Sequence, residues 1–97
     1  FFHTLEEDSP FISYDLGRER TLARVEVENR RDNGLRERAV PLVLLLSMDG
    51  KTWREAARRE YWFETWQIEL PKLRARYLKL MVARRSTLHL ERVQAFE

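Results

Sequence analysis

"RTLARVEVEN", residues 20–29, sets Ala23, Val25 and Val27 on one side and Arg24, Glu26 and Glu28 on the other. A period of two marks a half-buried β-strand, apolar toward a core and charged toward water. Downstream, "VPLVLLLSM" (40–48) is apolar on both faces and reads as a strand covered from both sides, inside the sheet. Pro41 falls near its start, where a missing N–H does least harm. Asp49-Gly50 follows, a turn pair whose glycine tolerates positive φ, so a hairpin or tight corner is expected. "RARYLKLMVA" (74–83) puts Leu78, Leu80 and Val82 on one face of another strand. In "LHLERVQAF" the pairs Leu88/Leu90 and Val93/Ala95 are out of phase by one residue, which a β-bulge around Glu91-Arg92 repairs.

One segment is ambiguous. "WREAARREYWFETW" (53–66) spaces Trp53, Ala56, Ala57 and Tyr61 as a helix would, on good helix formers. Its later aromatics and the alternation of Trp66, Ile68 and Leu70 favour extended chain. The expectation is a loop or one helical turn leading into a strand from about residue 65, with Trp53 as core filler. Short strands separated by turn signals predict an all-β, antiparallel sandwich.

The 97 residues suit one domain, 1–97, around one core. No stretch approaches the roughly 20 apolar residues of a membrane span. With no cysteine, disulfides, thiolate metal sites and cysteine catalysis are excluded together. Eighteen basic and sixteen acidic side chains leave a net charge of only +2 and a pI near 9.3. Acids and bases also alternate closely, as in "REAARRE", so no nucleic-acid partner is expected. The chain opens on Phe1 without a basic-then-apolar leader and reads as a piece of a longer polypeptide or a processed product.

Five phrases then fall in order along nearly the whole chain: "FFHTLEEDSPFISYDLG", "VEVENRRD", "RERAVPLVLLLSMDGKTW", "ARYLKLMV" and "LHLERVQAF". Together they resemble the discoidin, or coagulation factor V/VIII type C, domain family. The resemblance implies a galactose-binding-like jelly roll, a non-catalytic module that binds glycans, phospholipid head groups or proteins. By the same resemblance the chain starts after the family's N-terminal strand and calcium-binding loop, so a sandwich lacking that strand is expected. The family's closing-strand glutamate is matched by Gln94, so no metal and no cofactor are expected. Some members are similar to F-type lectins, whose pocket combines a histidine, an arginine opening an R-x-D motif, and a second basic residue. The matching positions are His3, Arg30 with Asp32, and Arg38 or Arg36. Glu37 stands where the second basic residue would fall, and the lectins' adjacent cysteine pair is absent, so the resemblance implies a related polar pocket and not fucose specificity.

The residue chemistry is consistent with that pocket. A saccharide offers neighbouring hydroxyls and a patch of C–H surface, which suit planar multi-donor groups beside an aromatic face. An arginine fork pairs with two adjacent oxygens, and a carboxylate such as Asp32 fixes its direction. The competing reading makes Arg30, Arg31, Arg36 and Arg38 a solvated loop paired loosely with Glu28, Asp32 and Glu37, each pair contributing about 0 to 1 kcal/mol. Tyr61, Trp62 and Phe63 form a second candidate contact cluster. His89, between Leu88 and Leu90, is read as structural, pointing away from the core leucines. Glu6, Glu7 and Asp8 are adjacent on an extended segment and point to opposite faces, whereas a glycosidase pair spans a cleft of about 5 to 10 Å. No enzyme is expected. The function expected is a carbohydrate-binding accessory module of a larger, bacterial protein. The alternative is a packing module that docks other domains of its parent through residues 61–63 and an open sheet edge.

Overall fold

The computed structural model describes residues 2–3, 7–29, 40–86 and 88–97, with only the backbone course given for residues 2, 3, 7, 8, 85 and 89. The elements are β1 (Phe2–His3), β2 (Glu7–Asp8), β3 (Phe11–Asn29), β4 (Leu42–Ser47), β5 (Arg54–Arg59), β6 (Thr65–Val82), β7 (Arg85–Ser86) and β8 (His89–Phe96). Six of them form one sheet in the order β1-β8-β3-β6-β4-β5, while β2 and β7 pair separately. Every pairing is antiparallel. Among the described residues there is no helix, so the fold is all-β, as the alternation predicts.

The two long strands explain how one sheet makes two layers. β3 and β6 pair from Phe11↔Met81 to Glu28↔Thr65, interrupted by register shifts between Asp15 and Arg20 and between Leu22 and Arg24. Beyond these shifts the ribbon is widened by different neighbours. On one side of the bend β8 and β1 extend the half that holds Arg24–Asn29, and on the other β4 and β5 extend the half that holds Tyr77–Val82. Both halves turn their buried residues into one cluster, with Val25 and Val27 from β3, Leu42, Leu44 and Leu46 from β4, and Leu78 and Leu80 from β6. The sandwich is thus a sheet folded on itself.

The sequence records the bend as changes of parity. On β3 the inward set passes from Leu22 to Val25, an odd step at the register shift. On β6 it passes from Ile68 and Leu70 to Ala75 and then to Leu78, with Lys72 at φ 55° between them. An extra residue flips every later side chain to the other face, so a long strand that serves two layers needs such irregularities. The expected bulge in the last strand is also present. Glu28 pairs with Arg92 and Asn29 with Leu90, leaving Glu91 as the unmatched residue.

β4 lies inside the sheet between β6 and β5, and Val43 is buried at 1% on the face opposite Leu42 and Leu44, as the doubly apolar run predicts. The Asp49-Gly50 turn sends the chain back as β5. Residues 54–59 are therefore strand, not loop or helical turn. Their helix propensity loses to pairing with β4, from Leu42↔Arg59 to Leu46↔Arg54, which satisfies backbone groups along that edge. Trp53 is half-buried and stands outside the core cluster, with the Lys79 ammonium 4.3 Å from its ring centroid. It is not core filler.

Candidate functional site

The folded sheet has two unlike ends. One is the bend, with residues 16–20 and 70–75. At the other end, the tip, β3 finishes at Asn29, β4 begins after Val40, and β6 begins after Glu64 and ends at Val82. Four backbone hydrogen bonds tie the segments of the tip together: Ser9 N to Arg84 O (3.2 Å), Asn29 N to Glu64 O (2.9 Å), Val82 N to Pro10 O (2.9 Å) and Ala83 N to Pro41 O (2.9 Å). Main-chain bonds, which need no particular side chain, thus join these described segments of the tip.

Two side chains fix the tip further. Asn29 occupies the next inward position after Val25 and Val27, is 2% exposed, and donates from Nδ2 to the Phe63 carbonyl at 3.0 Å. A polar group at a core position must be hydrogen-bonded, so this amide clamps segment 61–64 to the end of β3. Arg84 donates from Nε to the Val40 carbonyl at 2.7 Å and holds the residue before β4. Neither role is among the expectations from sequence. The signal for Asn29 was available, since an asparagine continuing an apolar alternation requires a nearby acceptor.

The predicted arginine cluster and Asp32 are Arg30, Asp32, Arg36 and Arg38, and all four lie outside the described residues. The two positions between which they run, Asn29 and Val40, are both at the tip. His3 is described in backbone only: it pairs with His89 on β8, one step past the row Phe2–Leu90–Asn29 that crosses β1, β8 and β3. Strand spacing of about 4.8 Å puts that row's outer member roughly 10 Å from β3. The expected orientation of the His89 side chain lies outside what is described.

The aromatic cluster divides. Tyr61 is 79% exposed and Trp62 53% exposed at the tip. Phe63 is 3% exposed, its ring 5.9 Å from that of Trp66, and belongs to the core. It is corrected from a candidate contact to a core residue, because the bend of the chain at 61–64 turns it inward under the Asn29 clamp. Arg59 supports the segment, donating from Nε to the Tyr61 carbonyl at 3.1 Å with its guanidinium carbon 5.9 Å from the Phe63 ring. The described residues of the tip thus present two large exposed rings, an apolar face of the kind that suits a ring-shaped ligand. Among the described residues, no group of three or more His, Asp or Glu side chains is placed to hold a metal ion.

The family model for the F5/8 type C domain matches residues 1–91. The chain belongs to this family. F5/8 type C domains are typically non-catalytic binding modules. Solved structures with the same fold include the lectin domain of lectinolysin complexed with Lewis B antigen, with a TM-score of 0.84 and 25% identity, covering 98% of this chain and 70% of that one. The Clostridium perfringens module CpGH89CBM32-5, in complex with GalNAc-β-1,3-galactose, matches with a TM-score of 0.83 at 17% identity over 99% of this chain and 74% of that one. A Streptococcus pneumoniae fucose binding module matches with a TM-score of 0.79 at 23% identity, over 97% and 67%. These neighbours carry the galactose-binding-like architecture expected of this F5/8 type C domain. No curated protein matches the chain.

Proposed function

We propose that this chain is a single carbohydrate-binding domain, an accessory module of a larger, bacterial protein, that recognises a glycan at the tip. His3, Arg30 and Arg36 or Arg38 supply hydrogen-bond donors, Asp32 orients Arg30, and Tyr61 and Trp62 supply the apolar face. The observation that carries the reading is convergence. Both ends of the arginine-rich connection, the backbone of His3 and the exposed pair Tyr61/Trp62 lie at one end of the sandwich. Structures of the same fold in complex with Lewis B antigen and with GalNAc-β-1,3-galactose support the ligand class. Nothing in the reading calls for a reacting group, and the role is binding without catalysis.

The exposure of Tyr61 and Trp62 also favours a second reading, a surface that packs against other domains of the parent protein. A glycan array followed by calorimetry separates the two. Glycan recognition predicts saturable binding that Arg30→Ala weakens by at least tenfold, because the lost fork leaves ligand hydroxyls without their donors. Silence on the array, together with self-association that Tyr61→Ser/Trp62→Ser removes, would establish the packing role instead.

A further inference from the structure

The bend end carries a cavity of about 620 Å³, within the roughly 300–1,000 Å³ range of small-molecule sites. It opens between the β4–β5 turn and the corner of β3 and β6. Leu46, Met48 and Trp53 give it apolar wall, and Thr52 adds a hydroxyl. Its charged groups are Glu19, Asp49, Arg54, Lys72 and Arg74. β4 separates it from the tip by its six residues, roughly 20 Å of extended chain, so it is a different site from the one proposed above.

The hydrogen bonds decide what charge it favours. Asp49 accepts at Oδ1 from the Lys51 amide (2.8 Å), the Thr52 amide (2.9 Å) and the Ser47 hydroxyl (3.0 Å). Glu19 forms an ion pair with Arg74. Both carboxylates are thus engaged by the protein itself. The cations are less so. Arg54 donates from Nη2 to the Arg74 carbonyl at 3.2 Å, which leaves the guanidinium further donors. Among the described residues the Lys72 ammonium has no hydrogen bond or ion pair, and its left-handed backbone sets it at the corner of the cavity wall. The Lys79 ammonium lies 4.3 Å from the Trp53 ring centroid, so the protein itself already supplies that ring with a cation.

From this geometry we propose a second binding site at the bend for a carboxylated sugar unit, with Arg54 and Lys72 on the carboxylate, Thr52 on a hydroxyl, and Trp53 against the C–H surface. The site is independent of the tip. The test is a ¹H–¹⁵N titration of the chain with methyl β-glucuronide, alongside methyl β-glucoside and acetate at equal concentration. The glucuronide is expected to shift the Gly50, Lys51 and Thr52 amides and the Trp53 indole N–H saturably, with glucoside and acetate at least tenfold weaker. Arg54→Gln with Lys72→Asn, both at exposed positions, is expected to weaken glucuronide binding at least tenfold, with the spectrum of the tip unchanged. Asparagine tolerates the positive φ at position 72. Acetate acting as strongly as the glucuronide reduces the site to an anion patch and overturns the proposal. So does glucuronide binding that survives the double substitution, or that shifts only tip residues.

Discussion

The two ends of the sandwich solve the same problem by different means. At the bend, polar side chains serve the fold. Asp49 gathers two amides and a hydroxyl, Asp15 accepts the Gly17 amide at 2.9 Å, and the same Asp15 carboxylate takes a two-pronged bond from Arg76 at 3.0 and 3.2 Å. At the tip, main-chain bonds, the buried Asn29 and the exposed Arg84 do the holding, while Tyr61 and Trp62 are exposed. An end held mostly by main-chain bonds can vary most of its exposed side chains for recognition. An end built from carboxylate-centred turns is constrained in what it presents.

The contrast presupposes that both ends hang from one core. Leu80 tests this most severely, because it is fully buried on the half of β6 that pairs with β3 and β4. Leu80→Ala should lower the unfolding free energy by about 2–5 kcal/mol, lost transfer energy plus the cavity left behind. Denaturant unfolding should remain a single transition, with tip and bend probes moving together. Separate midpoints for Trp62 and Trp53 reporters would break the comparison, since the ends would then be separate folding units.

Asn29→Ala should divide the two ends instead. It strands the Phe63 carbonyl at a buried position, at a cost of about 1–3 kcal/mol. Hydrogen exchange should rise at Asn29 and in segment 61–64, while Lys51 and Thr52, bound to Asp49 at the far end, keep their protection. Uniform loss at both ends would mean that the amide supports the whole core and not the tip alone.

How much of this was readable depends on the distance over which each feature is determined. The strands at 20–29 and 74–82 and the bulge at Glu91 are matters of period and phase, and a local pattern states them. Residues 54–59 were misread because Ala, Arg and Glu favour helix locally, while the deciding interaction is with β4, which lies across the turn. Phe63 was placed with Tyr61 and Trp62 because three adjacent aromatics look alike in sequence. Only the hydrogen bond from Asn29, thirty-four positions away, distinguishes the one that is drawn inward. That His3 belongs to the end where Asn29 stops follows from strand order, which spacing alone does not encode. The bend's engaged carboxylates were invisible for the same reason, since Glu19 meets Arg74 and Asp15 meets Arg76 only when β3 folds against β6.

Acid should sharpen the comparison with the smallest effect of all. The Arg76 hydrogen bond, then the Gly17 amide, hold the Asp15 carboxyl below the usual carboxylate range, and the Thr52 and Lys51 amides with the Ser47 hydroxyl do the same for Asp49. A carboxyl whose folded pKa is depressed binds fewer protons folded than unfolded, so its stabilisation is complete above the unfolded value, near 4, and is lost as pH falls through the folded one. Between pH 7 and 5 neither group changes stability. Below about pH 4 the melting temperature should decline, and because both groups are exposed and screened by salt the decline should be shallow. Exchange at the Gly17, Lys51 and Thr52 amides should rise before exchange at Asn29. Asp15→Asn with Asp49→Asn should flatten this acid slope, since neither amide titrates. A slope unchanged by the double substitution would place the acid-sensitive carboxylates elsewhere and remove the carboxylate-centred turns as the distinguishing feature of the bend.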